Sequence, residues 1–183
     1  MKKILIILLA LPLALNSQVL VNKNKLEVGA HLQDAMNMFS GFNIGYHTNN
    51  SVFRISYGTQ VEDGEIEDLV SFQLAAHREI LDNLHIIPEA EVWLHDNYGG
   101  AAMSLNVGVT MFKEIYEACY ETTYSVTHSF MPIVGLTRKT ENYFSNRKET
   151  VWQIGFNARM SNILVVMRYN QDFRIMINYL IKG

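Results

Sequence analysis

The sequence predicts an all-β fold, a closed antiparallel up-and-down barrel of about 8–10 strands, from alternation, turn spacing and the make-up of the two strand faces. From Val151 to Met160 the even positions are Trp152, Ile154, Phe156, Ala158 and Met160; the odd ones are Val151, Gln153, Gly155, Asn157 and Arg159. A period of two places successive side chains on opposite faces of a strand. After Ser161-Asn162 the alternation resumes with Ile163, Val165, Met167 and Tyr169 against Leu164, Val166 and Arg168. It runs again after Asn170-Gln171-Asp172, with Phe173, Ile175, Ile177, Tyr179 and Ile181 against Arg174, Met176, Asn178 and Leu180. Apolar-alternating runs split by two or three turn residues are antiparallel strands.

Alternation alone leaves open which face looks outward. A soluble sandwich or ligand-binding barrel turns its apolar face inward, whereas a transmembrane barrel turns it to lipid and encloses the polar face. Here the apolar faces are almost free of charge, and the polar faces carry Gly, Ser, Asn, Gln and Arg with hardly any Lys. Small polar residues suit a narrow lumen, and the planar fork of Arg suits enclosed ion pairs. Tyr46, Tyr57, Trp152, Phe156, Tyr169 and Tyr179 fall on the apolar face, as a lipid-facing surface with interfacial girdles requires. The prediction is therefore a transmembrane barrel.

Residues 1–18 read as a secretory signal: Lys2-Lys3, an apolar core from Ile4 to Leu15, and the polar exit Asn16-Ser17-Gln18. No Cys lies near its end, which argues against a lipoprotein. Residues 19–183 are then one domain. No later run of apolar residues is long enough for a membrane helix, and the mean hydropathy of +0.03 fits strands that are half polar. Residues 25–36 form the first strand, with Leu26, Val28, Ala30 and Leu32 opposed to Glu27, Gly29, His31 and Gln33. Residues 42–47 follow, and Asn49-Asn50 is a two-residue hairpin turn. Phe53, Ile55 and Tyr57 continue the outer face, and this register sets Arg54 opposite Gly45.

The acidic run 61–68 (VEDGEIED) reads as a loop, and 70–77 as the next strand. Leu81-Asp82-Asn83 turns the chain into 84–95, which puts Glu89, Glu91, Trp93 and His95 inside and has Pro88 breaking the ladder. Residues 95–100 read as a second exposed loop, 102–111 as the cleanest strand, 130–137 as another, and 138–149 as a charged loop. Residues 114–124 fit either a strand or a short helix. An odd strand would spoil the even count of bacterial barrels, so they are expected to be an insertion. With the N-terminus periplasmic, the turns at Asn49, Asp82 and Ser161 share the inner side and the longer loops the outer.

Four arginines, Arg54, Arg159, Arg168 and Arg174, balance Glu27, Glu79, Glu89 and Glu91 on the inner face. The last hairpin sets Arg168 against Arg174, which like charges avoid unless carboxylates lie between them. A lumen network of Arg54, Glu89, Glu91, Arg159, Arg168 and Arg174 is expected, with Glu89 and Glu91 reaching across to Arg168 and Arg174. His31, His47, His77, His85 and His95 share the inner parity but lie at different heights, so no metal site and no cofactor are expected. Cys119 is the sole cysteine and can form no internal disulfide. His128-Ser129 is the one neighbouring base and nucleophile. Nothing resembles a phosphate loop, and a net charge of −3 argues against nucleic acid.

From Leu26 to Ile181 this organisation of signal, alternating strands and short inner turns resembles the small bacterial outer-membrane barrels typified by the OmpA transmembrane domain, OmpX and OmpW. The resemblance implies a non-enzymatic outer-membrane protein with a structural, adhesive or narrow-pore role and loops as its interaction surface. Its implied partners are outer-membrane lipid, periplasmic chaperones and the barrel-assembly machinery. Such barrels usually end in an aromatic residue; this chain ends Tyr179-Leu180-Ile181-Lys182-Gly183, where Tyr179 and Ile181 are the candidates for that signal. A soluble secreted or periplasmic barrel around an apolar ligand is the alternative. A lipid A hydrolase is a third reading, but its histidine and serine would be one residue apart, whereas His128 and Ser129 are adjacent.

Overall fold

Alternating runs become strands in the computed structural model, which describes residues 25–33, 39–48, 50–62, 65–95, 99–118, 124–141 and 148–182. The proposed signal, Asn49 and Cys119 lie outside them. Twelve strands follow in order: β1 (Lys25–Gln33), β2 (Phe39–His47), β3 (Ser51–Glu62), β4 (Glu65–Ala76), β5 (Arg78–Leu81), β6 (Leu84–His95), β7 (Gly99–Val109), β8 (Phe112–Ala118), β9 (Tyr124–Glu141), β10 (Lys148–Met160), β11 (Ile163–Tyr169) and β12 (Phe173–Lys182). Every pairing is antiparallel, and β1 pairs with both β2 and β12, from Lys25↔Lys182 to Gln33↔Arg174. The sheet is thereby a closed ring. β5 continues β4 along β6, and β8 continues β7 along β9, so the ring has ten rows.

Two irregularities have local causes. The ladder to β6 stops at Ala75↔Glu89 and resumes at Arg78↔Ile86. Pro88, which has no N–H to donate, sits opposite that gap, and the N–H of His77 turns instead to the Asn50 carbonyl at 2.9 Å. Between Gly108↔Ile133 and Phe112↔Phe130, the β7–β8 side spends one residue more than β9. That extra residue is a β-bulge.

The bulge corrects the expectation for residues 114–124. Phe112–Ala118 is a strand, and it lengthens an existing row instead of adding one. The even count survives for that reason. The paired part of this hairpin runs past the start of β6 and the end of β10, at the end of the barrel that carries the turns at 82–83 and 161–162.

Three expected loops are shorter than the sequence suggests. Pairing continues through Val61↔Ile66 and Glu62↔Glu65, so only residues 63–64 separate β3 from β4. β6 reaches His95 and β7 begins at Gly99. β9 reaches Glu141 and β10 begins at Lys148. Charged residues here stay in the ladder, because backbone pairing does not depend on side-chain polarity. The first strand, expected to reach residue 36, is described to Gln33.

The faces are inverted relative to a soluble barrel. Outward-facing Phe42, Ile44, Phe53, Leu105, Trp152, Ile154, Ile177 and Tyr179 are exposed, whereas Glu27, Asn43, Arg54, Asn106, Arg159 and Asn178 are buried. On β10 the outward side from Trp152 to Met160 carries no charge. Those eight steps span about 20 Å of barrel axis at a rise of about 3.3 Å and a tilt of about 40°. Inside, below Arg168, the lumen is packed by Leu164, Val166, Met176 and Leu180 and by Ile87, Met131 and Ile133.

Glycines make room for the interior. Gly41 pairs with Gly58 on one side and His31 on the other. A Cβ on Gly41 would overlap the Tyr57 backbone carbonyl, whereas one on Gly58 would meet the His31 Nε2 at 3.0 Å. Gly41→Ala should therefore destabilise the refolded barrel by about 1–3 kcal/mol, read as a lower urea midpoint. Gly58→Ala should cost less, because a side chain can yield where backbone cannot.

Candidate functional site in the lumen

The inner face gathers charges largely shut off from solvent, and each must find a partner there. Glu27 on β1 is fully buried. Its carboxylate accepts from the Arg54 Nε and, at 2.9 Å, from an Arg54 terminal nitrogen. It also contacts the His47 Nε2 and accepts from the Asn43 Nδ2 at 3.0 Å. Gly45 makes this meeting possible: it pairs with Glu27 on one side and Arg54 on the other, and a Cβ there would stand 3.2 Å from the Glu27 Oε1. Arg54 also donates to the Gln73 Oε1.

The second centre spans the lumen. Arg168 on β11 donates to the Glu89 Oε1 on β6 at 2.8 Å and to the Asn157 Oδ1 at 2.9 Å. Gln153 donates to the Glu89 Oε2 and the Asn106 Oδ1, both at 3.1 Å. In turn its Oε1 accepts from the Thr137 hydroxyl at 2.7 Å. Above it Arg174 pairs with Glu91 at 2.7 Å. Arg168 and Arg174 are indeed cross-strand neighbours, and each faces its own glutamate. Toward the loop end Lys139 pairs with Asp172, and His95 lies 3.2 Å from the Glu67 carboxylate.

Of the six arginines and glutamates singled out, Arg168 meets Glu89 and Arg174 meets Glu91. Arg54 instead goes to Glu27, and the Arg159 Nε donates to the Ser161 carbonyl at 2.9 Å, bracing the β10–β11 turn. The outward aromatics lie toward two ends. Trp152, Tyr169 and Tyr57 are toward the loops, and Tyr46 and Tyr179 toward the turns. Trp152 is 71% exposed. Tyr57 is half-buried, its hydroxyl donating to Asp68 at 2.8 Å, and Phe156 stacks at 5.5 Å on Phe130. Glu27, Gln73 and Gln153 were missed as members, although all three lie on the inner parity.

Two cavities flank the Glu89–Arg168 pair. One, of about 30 Å³, is bordered by His47, Arg54, His77 and Val166; the other, of about 40 Å³, by Glu91, Ser104, Gln153 and Arg174. A water needs about 10–15 Å³ measured this way, so each suits a few waters and nothing larger. His85 bonds to the Thr110 Oγ1 at 2.8 Å, and among the described residues no three His, Cys, Asp or Glu converge as metal ligands. His128 and Ser129 are consecutive in β9 and so point to opposite faces.

No family model matches the chain, and no curated protein matches it. Among solved structures it is similar to the N-terminal β-barrel domain of Pseudomonas aeruginosa OprF, 13% identical over 86% of this chain and 98% of that one, with a TM-score of 0.34. So distant a likeness carries no residue across, and the barrel's own faces are what the functional reading uses.

Removing one member of a buried pair strands the other. Glu27→Ala should destabilise the refolded barrel by about 3–5 kcal/mol. Glu91→Ala should cost clearly less, because its pair is 13–16% exposed while the Glu27–Arg54 side chains are 0–4% exposed. Urea titrations of the two variants, side by side, check the order.

Proposed function

We propose that this chain is a non-enzymatic outer-membrane barrel, structural or adhesive, that presents its loop end and keeps its lumen shut. The inversion of its faces carries the reading: Trp152 is 71% exposed while Arg54 is 3% and Glu27 0% exposed. An apolar belt running round a whole molecule exceeds what a water-soluble monomer exposes and suits acyl chains. Outer-membrane lipid is then its constant partner. Periplasmic chaperones and the barrel-assembly machinery are its partners on the way there, and residues 1–18 are its export signal.

A narrow-pore role is the weaker version, because the Glu89–Arg168 bond crosses the lumen between small cavities and the Glu27–Arg54 pair fills the wall side from β1 to β3. A soluble barrel around an apolar ligand would need a roomy greasy interior, and the two cavities beside Glu89–Arg168 are small and bordered by charge. Hydrolysis by His128 and Ser129 would need both on one face.

Expressed in a Gram-negative host, the protein should fractionate with the outer membrane and migrate faster unboiled than boiled. Recovery in the soluble periplasm with one mobility would overturn the reading. Reconstituted vesicles should hold an ion gradient, and the Glu89→Ala, Arg168→Ala double variant should leak at least several-fold faster. A leaky native barrel would restore the pore.

A further inference from the structure

Along the outward face of the barrel, two cations stand together just above the apolar belt. Arg138 on β9 and Lys148 on β10 are both exposed and share the outward parity of Leu136 and Trp152. Arg138 pairs with Thr150, and Lys148 with Thr140. The cations are therefore diagonal neighbours, about 7–8 Å apart at the backbone, with two threonine hydroxyls completing the square. On the other flank Arg138 pairs with Met103 and Thr140 with Ala101, both uncharged. Among the described side chains neither cation is paired with a carboxylate. Like charges so placed call for an anion from outside.

Depth narrows the choice. Arg138 is two residues above Leu136, or about 6–7 Å along the strand. Leu136 pairs with Trp152 and Leu105, both of which point into the belt. The polar layer of a bilayer extends about 5–7 Å beyond each edge of its hydrocarbon. Arg138 thus falls where lipid phosphates lie, and Trp152 where an amphipathic ring is favoured. Lys148 is four residues beyond Trp152, about 13 Å along the strand, and its long stem brings the ammonium back toward that layer.

We propose that Arg138 and Lys148, with the Thr140 and Thr150 hydroxyls, form a site for a lipid phosphomonoester headgroup in the leaflet at the loop end, with Leu136 and Trp152 against its acyl chains. The inference rests on the membrane reading above. A phosphomonoester carries about −1.5 to −2 charge at neutral pH, which matches two cations; a zwitterionic headgroup does not. Arg138 can grip two phosphate oxygens at once, and Lys148 adds a point charge.

The test uses the full chain refolded in dodecyl maltoside micelles, with native mass spectrometry reading the lipid retained. Phosphatidic acid should be retained over phosphatidylcholine of the same chains. Arg138→Gln and Lys148→Gln should each weaken retention about fivefold, the ~1 kcal/mol that one cation gains near an anionic surface, and together about 25-fold. Equal retention by the double variant, still heat-modifiable, would overturn the site. So would an equal loss from Arg78→Gln, an exposed outward cation at the turn end, since that would mean a diffuse charge effect. Displacement by millimolar inorganic phosphate would overturn the lipid assignment. Failure of the native chain to enter vesicles or to show heat-modifiable migration would instead strike the membrane reading, and the site with it.

Discussion

Enclosure of charge is the constraint on which this barrel depends. With its outer wall given to Phe, Ile, Leu and Trp, the chain has only the lumen in which to place Arg54, Glu27, Glu89 and Arg168. Desolvating such groups costs several kcal/mol apiece unless they meet opposite charge and further hydrogen bonds. The lumen supplies both. Glu27 takes Arg54, His47 and Asn43, and Glu89 takes Arg168 and Gln153. These bonds tie β1 to β3 and β6 to β11, so they set the ring's cross-section as well as neutralising it.

The same constraint explains the small residues between the large ones. A ring of ten strands has a limited bore, and arginines cannot reach across it unless the neighbouring positions are nearly empty. Gly45 lies between Glu27 and Arg54, and Gly155 pairs with Arg168. Beside Glu27 and Arg159 at the turn end, Leu164, Val166, Met176 and Leu180 fill the bore, while Lys139 and Asp172 approach each other near the loops.

Much of this was legible in the sequence, for identifiable reasons. Period-two alternation sorts residues by face whatever the tertiary structure, so the inward set from Glu27 to Arg174 could be read off, except Glu79, which is exposed on the short β5 and accepts from the Asn83 N–H at the turn. Local hairpin register was enough to set Arg168 against Arg174 and Arg54 against Gly45. The same reasoning one hairpin earlier would have found Glu27, which Gly45 also faces; that signal was present and unused. Strand ends were harder, because polar residues look alike in a loop and in a ladder that continues past the apolar belt. At residues 63–64 the pair Asp-Gly, which favours a two-residue turn, was the available clue. The bulge before β8 had no such mark, since one extra residue in a partner strand shows only when both strands are laid side by side.

The seam between β1 and β12 has a consequence for how the molecule is made. Every other junction in the ring joins segments that leave the ribosome in succession. The seam joins residue 25 to residue 182. Hairpins can form early, but both margins of the growing sheet stay open until residues 173–182 arrive. Contacts of such long sequence separation are slow to form, and open margins recruit other chains. Both margins therefore stay available to other chains throughout that wait, and the final strand acts as the latch.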